Sequence, residues 1–204
     1  MAGEDCEDGN VSAGDGCSAT CTFEATCGNG VVEPGEACDF GDPASANGCD
    51  ATCKLVPGTT CGSSVDLNDP AKVTVNGAVT LYSGDTTTSM LVNLGSPSCG
   101  TNSNVKPAVD IPTVVHRYRL GNKPAGLLVE TIDIGGNLND PILWAYLSCF
   151  DTGNELGCDD DLGPGTYSVM SLGVLPAGTT VFIVISGYHP PDKGPYQLKI
   201  TEIP

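Results

Sequence analysis

The distribution of apolar and polar positions divides the chain in two. Up to residue 61 the sequence is built mainly of glycine, acids, cysteine and small polar residues, with no sustained apolar period. Beyond it, short apolar runs recur: KVTV, AVTLYS, SMLVNLG, TVVHRYRL, GLLVETIDI, PILWAYLSC, YSVMSLGVL, TVFIVISGY and YQLKITEI. Several alternate in the period of a half-buried strand, as Tyr196, Leu198 and Ile200 do against Gln197, Lys199 and Thr201. Between them lie NG, GD, GN, PAG and PPDKGP, which favour turns. This spacing predicts an antiparallel β-sandwich, jelly-roll-like, over residues 59–204, with Trp144 and the Val, Ile and Leu positions as its core. Tyr167, Tyr188 and Tyr196 read as core or sandwich rim.

The first part is organised by a repeat. CEDGNVSAGDGCSATC, residues 6–21, superposes without a gap on CDFGDPASANGCDATC, residues 38–53, so that Cys6, Cys17 and Cys21 match Cys38, Cys49 and Cys53. Only the second copy carries the preceding CGNGVVEPGEA. The reading is a first repeat over 1–26 that has lost its head and a complete one over 27–58. So small a unit with so few large apolar side chains cannot offset chain entropy by burial, and crosslinks or a metal must supply the difference. Zinc is disfavoured by the absence of histidine and the surplus of oxygen ligands there. Four cysteines allow three connectivities. The expectation is the nested one, Cys38 with Cys49 inside Cys27 with Cys53; by the same rule Cys6 pairs with Cys17 and Cys21 stays unpaired. In the second part the turn formers between Cys149 and Cys158 suggest that those two meet, which leaves Cys61 for Cys99.

Eleven cysteines imply an oxidising, extracellular or cell-surface setting. With 25 acids against 8 bases the net charge is -17, so nucleic acid and anionic membranes are excluded as partners. No run of about 20 apolar residues is present to insert into a bilayer. Carboxylates do suit a hard cation, and calcium is the candidate cofactor. Acids and amides recur in register in the two repeats: Glu7 with Asp39, Asn10 with Asp42, Asp15 with Asn47. The same residues also serve as turn formers, and the two readings stand side by side. In the sandwich, Asp159, Asp160 and Asp161, near Asp140 and Asp151, are the metal candidates, although successive strand residues face opposite ways and not all three can reach one ion.

CGNGVVEPGEACDFGD with NGCDATC, and CEDGN with GDGCSATC, resemble the cysteine-rich repeat found in many copies in myxobacterial and related bacterial surface proteins. A more distant resemblance is to the calcium-binding Lin-12/Notch type of repeat. Phe40 and Asp42 depart from the usual DDGN, and Ala46-Asn47 from the usual GDG. TVVHRYRL, NDPILWAYLSCFDTGNELGCDDD, LPAGTTVFIVISGY and GPYQLKITEI are similar to the bacterial pre-peptidase C-terminal domain. That resemblance implies a non-catalytic β-sandwich appended to exported proteins, in some cases binding calcium or a polymer.

No HExxH, GxSxG, P-loop or Rossmann pattern occurs. His116 falls in a strand pattern and His189 in a proline-rich turn, so both read as structural, and the expectation is a protein without enzymatic activity. The resulting picture is an extracellular module of a larger bacterial surface or secreted protein: a stapled spacer with a sandwich for adhesion or assembly, whose partners are an extracellular protein, a polysaccharide or its own copies. The alternatives are an accessory substrate-binding or secretion domain of a secreted peptidase and a structural subunit of an extracellular filament.

Overall fold

The computed structural model describes residues 20, 27, 36, 49, 52–54, 56–87, 89, 98–99, 112–135, 138–148, 155–189 and 191–204. The chain forms two compact units, Met1–Val56 and Pro57–Pro204.

In the first unit, the described core consists of cysteine. Cys49 and Cys53 are buried, with Cys27 packed against them. Cys27 and Cys53 form a disulfide with Cα atoms 5.4 Å apart, the outer bond of the nested pairing, and Cys49 is disulfide-bonded as well. Crosslinks stand here where larger domains place leucine and valine. Glu7, Asn10, Asp15, Asp39, Asp42, Asn47, Cys6, Cys17, Cys21, Cys38, Cys149 and Asp151 lie outside the described residues.

The second unit is a β-sandwich with ten strands among the described residues: β1 Val65–Asp66, β2 Val73–Asn76, β3 Val79–Asp85, β4 Thr113–Arg119, β5 Ala125–Ile132, β6 Pro141–Tyr146, β7 Glu155–Asp159, β8 Val169–Leu175, β9 Thr180–Gly187 and β10 Pro195–Ile203. One sheet has the order β1-β4-β9-β6-β7, the other β2-β3-β10-β5-β8. From β3 onward the chain changes sheet at every connection except β6 to β7, as a jelly-roll-like path does. All pairings are antiparallel but that of the two-residue β1 with β4. Eight of the nine apolar runs become strands; the ninth, SMLVNLG, lies almost wholly outside the described residues.

The apolar pattern of each strand follows from what covers its faces. YQLKITEI alternates because β10 buries Tyr196, Leu198 and Ile200 against the opposite sheet and leaves the other side to solvent. PILWAY does not alternate, because β6 is buried on both faces. Its Leu143 and Ala145 enter the inter-sheet core, while Ile142, Trp144 and Tyr146 join Val115 and Val184 in a second cluster on the outer face. A strand covered on both sides needs continuous apolar sequence.

The outer cluster corrects two disulfide expectations. Cys158 bonds Cys99, with Cα atoms 5.7 Å apart, so the pairs Cys149 with Cys158 and Cys61 with Cys99 do not form. The reason is that ELGCD is not part of a turn but β7, paired with β6 so that Cys158 opposes Trp144 on the outer face. There the segment at Ser98-Cys99 meets it: Cys99 N donates to Cys158 Sγ at 3.2 Å, and Ser98 N donates to Glu155 Oε2 at 3.0 Å. Cys61 is disulfide-bonded too.

Candidate cation site

The antiparallel register of β6 and β7 places Leu143 opposite Asp159. The start of β6 therefore lies beside the end of β7, and residues twenty apart in sequence come together. Oxygens of Asp140, Asp160 and Asp161 lie within 4.8 Å of one another. Asp159 goes elsewhere. It is 3% exposed, on the same face as Leu143, and its Oδ2 accepts from Leu162 N at 3.2 Å and Val169 N at 2.6 Å. Strand phase thus turns Asp159 to loop closure, while Asp160 and Asp161 lie in the bend beyond the end of β7, free of that alternation, and with Asp140 face one point.

The surrounding backbone is tied down. The single hydroxyl proton of Ser168 is shared between Asp160 O, 2.9 Å from Oγ, and Pro141 O, and Thr166 Oγ1 donates to Asn139 O. From the β9–β10 connection, Tyr188 N donates to Asp140 O at 2.7 Å, and Asp192 Oδ2 accepts from His189 N at 2.9 Å. Gly187 permits this approach, since a Cβ there would stand 2.0 Å from Asp192 O.

The electrostatics are those of a site short of positive charge. Partial burial, then Asp161, Asp140 and Asp159, push the Asp160 carboxyl up to about 6 against an opposing effect of His189. Asp140 is raised by burial, then by Asp161 and Asp192, again partly offset by His189. Asp140 Oδ1 and Asp160 Oδ1 are buried with no hydrogen-bond partner. A proton on Asp160 relieves the repulsion below about pH 6; a cation relieves it at neutral pH. With three carboxylates and no sulfur, the donor set fits a hard cation such as calcium. Asp140 was recognisable in sequence as a neighbour of CDDD, whereas Asp192 and His189 carried no signal, because only the fold brings the β9–β10 connection here.

A second cluster joins Cys27, Glu36 and Cys53. Both sulfurs are spent in the disulfide, so the group is no thiolate site.

His116 is fully buried. Its Nδ1 donates to Ile183 O at 3.1 Å, because a carbonyl can only accept, so Nε2 accepts from Tyr196 OH at 2.7 Å. Burial lowers its pKa to about 4, the Ile183 carbonyl opposing. His189 lies on the β9–β10 connection, edge-on to Tyr188 with ring centroids 4.5 Å apart. Compared with protein-family models and with curated proteins, the chain matches none.

Proposed function

We propose that this chain is a non-catalytic extracellular module of a bacterial surface or secreted protein, in which cysteine-rich repeats form a stapled spacer and a calcium-loaded β-sandwich makes the contact with a partner. The observation that carries the reading is the convergence of Asp140, Asp160 and Asp161 around two buried, unpartnered carboxylate oxygens, in a fold held by disulfides that require an oxidising compartment. The resemblance of the repeats to myxobacterial surface proteins, and of the sandwich to pre-peptidase C-terminal domains, points the same way.

Calcium's role is structural. It neutralises mutually repelling acids at the root of the β7–β8 connection and at the start of β6, fixing a loop in which Leu162 is 81% exposed. The test is calorimetric titration with calcium of the chelator-treated protein, beside thermal unfolding. Extracellular calcium modules bind with dissociation constants of about 10⁻⁴–10⁻³ M. A hundredfold excess over such a constant adds about 2.7 kcal/mol of stability, which for a domain of this size raises Tm by roughly 5–10 °C. Absence of both heat and shift refutes the calcium part.

A further inference from the structure

At the far end of the β7–β8 connection lies a cleft of about 330 Å³. One wall comes from the outer side of β5 and the residue that follows it, Glu130, Ile132 and Asp133; the other is Pro164, Tyr167 and Val169. Register accounts for the juxtaposition, since Val169 pairs with Glu130 and both point away from the inter-sheet core. The loop is held in shape. Gly163 N donates to Tyr167 O at 2.7 Å, a Cβ at Gly163 would stand 2.2 Å from that oxygen, and Ser168 N donates to Thr131 Oγ1 at 2.8 Å.

The chemistry of this cleft is selective. Ile132, Pro164 and Val169 supply apolar walls, Tyr167 an aromatic ring, and Glu130 and Asp133 two carboxylates. Glu130 is already paired, as Lys199 Nζ lies 2.6 Å from Glu130 Oε2, which leaves Asp133 as the carboxylate open to a ligand. A ligand with an aliphatic stem and a positive head matches all three features: the stem packs on the apolar walls, and the head meets Asp133 and the tyrosine ring by charge pairing and cation–π attraction. The net charge of -17 adds long-range attraction for a basic partner and repulsion of an acidic one.

We propose that the cleft between the end of β5 and the Pro164–Tyr167 loop binds a lysine side chain of an extended, basic polypeptide partner. This site goes beyond the calcium reading and does not depend on it.

The probe is a short acetylated and amidated peptide with one lysine between glycines, titrated into ¹⁵N-labelled full-length protein in EDTA and again with calcium. Because the EDTA arm involves no cation site, failure of the calcium reading leaves the cleft result readable. Expected are shifts confined to Ile132, Asp133, Tyr167 and Val169, and about tenfold weaker binding when norleucine replaces lysine. Asp133→Asn and Tyr167→Ala are each expected to weaken binding about five- to tenfold, while Tyr167→Phe stays within about twofold. Asp69→Asn, at an exposed acid on another part of the sandwich, is the control and leaves binding unchanged. The proposal is overturned if norleucine binds as well as lysine, if Asp133→Asn has no more effect than Asp69→Asn, or if a neutral chitin oligosaccharide shifts these residues while the lysine peptide does not.

Discussion

Acidification tests the core most directly, because His116 is enclosed in it as a neutral base. In the unfolded chain its pKa returns to 6.5; in the sandwich burial holds it at about 4. Between those values the unfolded state binds a proton that the native state does not, so stability falls as pH falls through this window. The contribution is complete above about pH 6.5 and lost by about pH 4, and the difference of some 2.5 pH units corresponds to about 3 kcal/mol. Asp160 acts in the opposite sense. Its raised native value means that the folded state takes up its proton first, so acidification through about pH 6 favours folding at that site. The raw stability curve mixes the two.

The assay therefore compares wild type with His116→Gln, which cannot take up the proton, by urea unfolding at a series of pH values. The sole tryptophan, Trp144, is fully buried in the sandwich and reports on that unit by fluorescence. The variant is expected to be weaker at neutral pH by about 1–3 kcal/mol, for the lost bonds to Tyr196 and Ile183. That deficit closes by about 3 kcal/mol between pH 7 and pH 4, so at the acid end the variant equals or exceeds the wild type. Parallel curves would refute the reasoning, since they would mean that His116 titrates alike in both states.

Three further outcomes are expected. Asp160→Asn abolishes the calcium-dependent rise in Tm and, in EDTA at neutral pH, raises Tm, because it removes a carboxylate that Asp140 and Asp161 oppose; a lowered Tm in EDTA counts against the charge argument. Gly84→Ala places a Cβ 2.5 Å from the Tyr196 ring and hydroxyl, and urea unfolding is expected to show a loss of about 1–3 kcal/mol together with a flattened His116 pH dependence. Cys99→Ser breaks the bond over the outer cluster; stability falls by about 2–4 kcal/mol, and acrylamide quenching of Trp144 increases.

The sequence carried the sandwich because most of its strands bury at least one face, and burial writes either alternation or a continuous apolar run into a strand. What it could not carry was partnering. ELGCD has one large apolar residue and two acids, so it reads as a turn; it is a strand because β6 offers an edge and Asp159 ties Leu162 and Val169 behind it. Once β7 forms, Cys158 must face outward, and the sulfur that reaches it is that of Cys99, 59 residues away rather than nine. The acids of CDDD were visible as a group, but which of them faces inward depended on the strand phase. His116 was legible as a strand residue, while its hydroxyl partner, 80 positions on, belongs to the other sheet.

The two outer faces of the sandwich differ in a way that directs where contacts should be sought. The face carrying Trp144, Ile142 and Tyr146 is apolar and buried, with the Cys99–Cys158 bond packed on it, so those side chains are not available to a partner in the oxidised protein. The other sheet presents half-buried Leu81, Leu128 and Ile132 around the Lys199–Glu130 ion pair, a mixed surface that remains soluble yet offers apolar area. The β7–β8 connection bears the acid cluster at its root and ends at that second sheet, where Tyr167 borders the cleft. A partner bound there contacts a loop fixed at both ends, so little chain entropy is lost on binding. Mutations on the outer cluster should then lower stability without altering the affinity of the folded protein, whereas changes at Asp133 or Tyr167 should alter affinity with little effect on Tm. The opposite pattern, affinity tracking the outer cluster, would move the contact surface to the stapled face.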